Sequence, residues 1–199
     1  MTKQRDTDTP VVLSKIYTRG GDAGSTALGD MSRTTKTDPR LVAYADVEEA
    51  NAAIGTALAL GDVPEEIRAL LGRVQNELFD LGADLSCPVT DDPPYPPLRV
   101  EEAYIERLEE ECDSYNAELP TLRSFILPGG SPAVALMHNA RVVTRRAERG
   151  AWAAMEDYGD SVNPLTARYL NRLSDLLFVL CRVLGEDGEQ VLWKPGGER

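Results

Sequence analysis

The chain has 199 residues, 42% of them hydrophobic and 27% charged, which is enough for one domain that buries its own core. Its 33 acids against 21 lysines and arginines give a net charge of −12, which excludes a general nucleic-acid binder but leaves room for a few focused cations to hold a small polyanion. No apolar run reaches the ~18 residues of a membrane span, and three scattered cysteines (Cys87, Cys112, Cys181) with the lone His138 exclude a disulfide framework and a histidine-rich metal centre. The cytoplasm is the expected compartment.

Residues 1–10, polar and without an apolar core, are expected to form a disordered tail, and 11–199 a single domain. The strand-like run "VVLSKIY" leads into "YTRGGDAGSTALGD", where four glycines allow tight turns or close approach to a ligand. Five helices follow. Asp38 and Pro39 suit the cap and first position of one ending at Gly61. Asp62 and Glu65 have capping-box spacing for the second, whose Ile67, Leu70, Leu71, Val74, Leu78 and Leu81 recur at helical intervals. The five prolines of "SCPVTDDPPYPPL" predict a loop. A glutamate-rich helix covers about 99–118, and Ser131 with Pro132 opens a fourth that runs to about Asp157. Asn163 and Pro164 open the fifth, which reads as apolar almost all round and therefore central, ending near Leu184. The end, "EQVLWKPGGER", has room for a short strand. Long helices with mostly short links predict an all-α five-helix bundle.

Several groupings have chemical potential, each with a plainer alternative. The glycine stretch fits neither common phosphate loop: Gly24 and Gly29 have the spacing of G-x-x-x-x-G-K-[ST], but Asp30 stands where lysine belongs, and G-x-G-x-x-G is absent. It is either an ordinary turn or a set of backbone N–H groups aimed at an anion, with Arg19 and nearby hydroxyls in support. On the fourth helix Arg141, Arg145, Glu148 and Arg149 share the face opposite an apolar stripe. That face is either solvated or suited to a multiply charged anion, since guanidinium groups grip phosphate oxygens in pairs. Asn171, Ser174 and Asp175 stand among leucines, either fixing register or lining a site. Glu48 and Glu49 sit beside small residues, with either able to pair with an arginine. A di-iron bundle would need Glu-x-x-His on two helices and is excluded by the single histidine. Phe125 and Ile126 precede a Pro-Gly-Gly turn, which on its own reads as a loop anchor.

In this order, "YTRGGDAGSTALGD", "KTDPRLVAYADVEEANAAIG", "FILPGGS", "HNARVVTRRAER" and "YLNRLSDLLFVL" resemble the PduO-type ATP:cob(I)alamin adenosyltransferases from about Ile16 to Leu184. The resemblance implies a five-helix bundle of cobalamin adenosyltransferase (ferritin-like) type, carrying an N-terminal glycine-rich nucleotide loop. It further implies a homotrimer with sites between subunits, and ATP, Mg²⁺ and cobalamin as ligands. Reduced cobalt, Co(I), would attack the 5′ carbon of ATP, giving adenosylcobalamin and triphosphate. A reductase and an adenosylcobalamin-dependent acceptor enzyme are the partners such an activity calls for.

Position by position, the match puts Tyr17, Thr18, Arg19, Gly21, Asp22, Gly24, Ser25 and Thr26 in the nucleotide loop, with Lys36 and Arg40 as the next basic pair. It puts Arg141, Arg145 and Glu148 near the triphosphate, and Asn171 and Ser174 in the nucleotide pocket. Phe125 takes the place of the aromatic that closes the lower face of cobalt. Where the family reads "AYGxxDELN" this chain has "AYADVEEAN", so Glu48 replaces the aspartate that pairs with the first arginine of helix four, here Arg141, across the interface. The alternative from another class is a non-catalytic module that binds or delivers nucleotide or corrinoid; product formation separates the two.

Overall fold

Prolines and short polar caps decide where the chain turns helical. In the computed structural model, which describes residues 16–93, 96–185 and 190–196, α1 (Pro39–Leu60) starts at Asp38, whose side chain accepts the Arg40 N–H at 2.8 Å. α4 (Pro132–Tyr158) starts at Ser131, whose hydroxyl accepts from the Val134 N–H, and ends at Gly159 with φ +55°, a left-handed position that favours glycine. The expected tail 1–10 and most of the strand-like run lie outside the described residues.

α2 (Glu65–Ser86) departs from expectation at its start: Pro64 is the cap and makes no side-chain cap bond, so the Asp62–Glu65 capping box does not form. Proline at this position already supplies the dihedral that leads into the helix, and Glu65 and Glu66 complement its dipole instead. α3 (Glu102–Asn116) is shorter than the acidic run suggested. α5 (Leu165–Leu184) has two faces rather than being apolar all round: Leu170, Leu173, Leu177 and Leu180 are buried, while Arg168, Asn171 and Asp175 are exposed. Asn163 does act at its start, its Oδ1 accepting the Leu165 N–H at 3.1 Å.

α1 packs between α2 and α4, α4 continues to α5, and α3 lies against α5. The α1–α4 seam is made of small residues. Ala43, Ala140, Ala147 and Ala151 are wholly buried, and a Cβ on Gly150 would stand 3.3 Å from Ala43 Cα. Two buried carboxylates tie the elements together. Glu77 accepts from Tyr169 and Arg107, both at 2.8 Å, joining α2 to α5 and α3. Asp84 accepts from Arg99 (2.6 Å), the Val100 N–H and Asn163 (both 2.7 Å), fixing the loops that enter α3 and α5. A buried carboxylate so surrounded has its acceptor sites filled and holds its partners in place.

The strand content is small. β1 (Ser25–Ala27) and β2 (Arg33–Thr35) form an antiparallel hairpin, with Thr26 opposite Thr34. Leu192 makes an isolated bridge to Ile126, so the C-terminal segment pairs with the loop before α4. Among the described residues no helix is long and apolar enough to cross a membrane.

Candidate active site

The glycine stretch folds as a loop closed by its own hairpin. The Asp22 N–H donates to Arg19 O and the Gly24 N–H to Gly21 O, two successive tight turns. Gly24 sits at φ +78° and Arg19 at φ +62°, the latter an unusual conformation for a residue with a Cβ. Arg19 also stacks on the Tyr17 ring, 5.9 Å from its centroid. The loop brings Lys36 back over itself: its N–H donates to Gly24 O at 2.9 Å, and its ammonium lies 3.0 Å from where a Cβ on Gly21 would stand. A side chain at 21 would crowd the Lys36 ammonium, and glycine leaves it room. Thr18, Asp22, Ser25 and Thr26 belong to the same exposed or half-exposed rim.

Arg33 is the residue the sequence reading missed. Its guanidinium donates to Gly20 O (3.0 Å) and Ser25 Oγ (2.6 Å), so it braces the loop from β2. The available signal was its spacing of three from Lys36, in a strand otherwise made of threonines. Asp30, in the place of a phosphate-loop lysine, closes the hairpin turn by accepting the Ser32 hydroxyl (2.6 Å) and N–H (2.9 Å), and the hydroxyl bond holds its carboxyl below the usual range.

Arg40, which the resemblance pairs with Lys36, is buried. It is 1% exposed and faces inward, not toward the loop. Its guanidinium donates to Leu85 O (3.0 Å), Ser161 O (3.1 Å) and Ser161 Oγ (2.8 Å), and stacks 4.9 Å from the Tyr158 ring centroid. Burial lowers its pKa, opposed by Tyr158 and Asp38. Asp38 in turn accepts from Thr34 and from the Tyr158 hydroxyl (2.6 Å), so the start of α1, the hairpin and the end of α4 are locked together.

The second grouping lies where α4 meets α5. Arg141 places its guanidinium 5.9 Å from the Phe178 ring centroid, with a buried Nε that has no partner. Arg145 is exposed one turn on, and Glu148 accepts from Asn171 Nδ2 at 3.1 Å. Ser174 is buried and bonds to its own helix through Asn171 O at 2.9 Å, whereas Asn171 and Asp175 are exposed, so the three do not form a buried polar row. Burial pushes the Cys181 thiol up to about 12 and that of Cys112 to about 11, which makes these two poor nucleophiles.

Glu48 and Arg141 do not meet within one chain. Glu48 is exposed and lines a groove of about 700 Å³ between α1, α2 and the hairpin, together with Tyr44, Asn51 and Phe79. Arg141 lies on the other flank of the α1–α4 pair, toward α5. The acids that do pair across α1–α4 are Asp46 (3.2 Å) and Glu49, both with Arg146. Among the described residues, no hydrogen bond or ion pair joins loop residues 18–30 to the arginine face. Phe125 stands apart from both groupings, 75% exposed on the segment before α4.

Fold and site together define a helical bundle that presents a cation-bearing glycine loop at one place and an arginine–carboxylate face at another. The sequence profile of the cobalamin adenosyltransferase family matches residues 16–184, and the chain belongs to that family. It is 61% identical over 189 residues to the corrinoid adenosyltransferase of Mycobacterium tuberculosis strain H37Rv, covering 95% of this chain and 97% of that one. The Bacillus subtilis corrinoid adenosyltransferase is 43% identical over 85% of this chain and 86% of its own. Among solved structures, a variant PduO-type ATP:corrinoid adenosyltransferase from Lactobacillus reuteri, complexed with cobalamin and ATP, superposes with a TM-score of 0.82 at 34% identity. That superposition covers 90% of this chain and 99% of the other.

Proposed function

We propose that the protein transfers the 5′-deoxyadenosyl group of ATP to the Co(I) centre of a reduced corrinoid, and that residues 11–199 act as one catalytic unit. The observation that carries this is the Lys36 ammonium folded over a glycine loop, against Gly21, in a chain of the cobalamin adenosyltransferase family. The electron pair on Co(I) forms the cobalt–C5′ bond. The C5′–O bond breaks, and its pair leaves on the triphosphate. No side chain need act as nucleophile or base, in keeping with the raised thiols of Cys112 and Cys181. The chain's task is to orient ATP and to meet the charge growing on the leaving triphosphate with Lys36, loop N–H groups, Arg141 and Arg145. Glu148, held by Asn171, keeps the arginine face in register. Phe125 is assigned to the lower face of cobalt, where an apolar ring excludes an axial ligand and eases reduction.

Magnesium fits as an ion carried by the triphosphate. Among the described residues no three His, Cys, Asp or Glu side chains converge on a metal, while Glu148, Ser25 and Thr26 offer the hard oxygen donors Mg²⁺ takes beside phosphate. Bound there, it would neutralise phosphate charge.

Glu48 and Arg141 lie on opposite flanks of one chain, which supports a site completed by a second copy: the arginine face of one protomer seated in the groove of the next. We assign a closed homotrimer, as the family resemblance implies; a heterologous contact of this kind forms a ring when its rotation closes. We also place the enzyme in the cytoplasm, with a reductase and an acceptor enzyme as its partners. The test is to mix protein, ATP, Mg²⁺ and chemically reduced cobalamin. Adenosylcobalamin and triphosphate in equal amounts are expected; corrinoid binding without product would instead support a delivery module.

A further inference from the structure

Adenosyl transfer as described leaves one part of the molecule unused, the C-terminal segment 190–196. It runs antiparallel to the segment before α4. The Trp193 N–H donates to Phe125 O at 2.7 Å, the Leu127 N–H donates to Val191 O at 2.8 Å, and the Ser124 hydroxyl donates to Trp193 O at 2.7 Å. Between those bonds Ile126 stands opposite Leu192. Side chains alternate along such a ladder, so Phe125 and Trp193 form a cross-strand pair on one face and Ile126 points to the other. Ile126 lines a cavity of about 260 Å³ with His138, Val134 and Cys181.

The two rings meet edge to face, 6.0 Å between centroids and 61° between planes. This contact matters because Phe125 is 75% exposed: the core does not fix its rotamer, and Trp193 touches it along one edge. Trp193 is itself 44% exposed and Val191 61%, so the ladder shows solvent an apolar surface continuous with Phe125. A wedge that must cover one face of a metal needs a set orientation, since a freely rotating ring admits a ligand for part of the time.

We propose that Trp193 is a positioning residue for the adenosyl-transfer reaction: the C-terminal strand holds Phe125 in the rotamer that keeps an axial ligand off cobalt. This rests on the reading of Phe125 given above. Full-length Trp193→Ala, Trp193→Phe and Phe125→Ala are compared with wild type in two measurements. One is the electron paramagnetic resonance spectrum of Co(II) cobalamin bound with ATP, which separates axially ligated from unligated cobalt. The other is steady-state turnover. Trp193→Ala is expected to lose most of the unligated signal and about 5- to 10-fold in kcat, with KM for ATP unchanged; Trp193→Phe, which keeps a ring at the contact, restores both. If Phe125→Ala is impaired while Trp193→Ala matches wild type, this inference falls and the Phe125 reading stands. If Phe125→Ala itself matches wild type in the spectrum, both fall. A Trp193→Ala defect that the phenylalanine variant does not rescue, or that raises KM for ATP, also overturns it.

Discussion

Replacing Arg40 by methionine separates a scaffold role from a nucleotide role at a position where family resemblance and structure point different ways. Methionine retains much of the buried stem and removes the fork. Leu85 O then loses its donor at a site where Arg40 is 1% exposed, while Ser161 O keeps the Val89 N–H at 2.8 Å. A buried acceptor left unpaired costs about 1–3 kcal/mol. Loss of the stacking on Tyr158, 4.9 Å away, adds about 0.5–2 kcal/mol. The expected destabilisation is therefore roughly 1.5–5 kcal/mol, or on the order of 10 °C in unfolding midpoint for a chain of this length. Urea and thermal unfolding followed by circular dichroism measure it, beside KM for ATP at a temperature where the variant stays folded. A midpoint within about 2 °C of wild type, together with a raised KM, would refute the scaffold assignment.

Arg141→Ala should keep the helical spectrum and lower kcat about 100-fold, the usual scale for one charge-stabilising donor; a loss below about threefold would remove Arg141 from the reaction. Lys36→Met should raise KM for ATP by about tenfold with little change in unfolding midpoint, because the ammonium lies on an exposed loop. Stability should fall as pH drops below about 6.5 on account of His138. Burial, then Arg141, holds its pKa under the ordinary 6.5, and neither ring nitrogen has a partner. The unfolded chain therefore takes up a proton that the folded one refuses, so the contribution is full above 6.5 and is lost toward the folded value, at up to about 1.4 kcal/mol per pH unit. His138→Leu should flatten unfolding curves compared between pH 7.5 and 5.5 by up to that slope; identical curves for the two proteins would contradict the cause.

Helix starts were legible wherever a short polar residue preceded a proline, as at Asp38–Pro39 and Ser131–Pro132, because cap and fixed φ act within one turn. The same local logic failed at Asp62, where Pro64 had already set the entry to α2. The members of the loop and of the arginine face could be read as types, but not their partners. Nothing in the spacing of Arg40 tells that its reach ends at Ser161, 121 residues away. Nor does it tell that Arg146, rather than Arg141, takes the acids of α1. Such choices depend on which flank of a helix faces which neighbour, and that is set by the small-residue seam between α1 and α4. Trp193 escaped notice because its contact with Phe125 exists only once residues 124–127 and 190–193 have paired.

The central claim is a site built from the loop of one copy and the arginine face of another. Co-expressing Lys36→Met with Arg141→Ala chains and assaying adenosylcobalamin formation by the mixed oligomers, at ATP well below the wild-type KM so that each variant alone is nearly inactive, tests it directly. Random mixing gives sites that draw an intact loop from one chain and an intact face from the other, so about a quarter of wild-type activity should return. Activity no higher than the mean of the two variants measured alone would contradict the shared site.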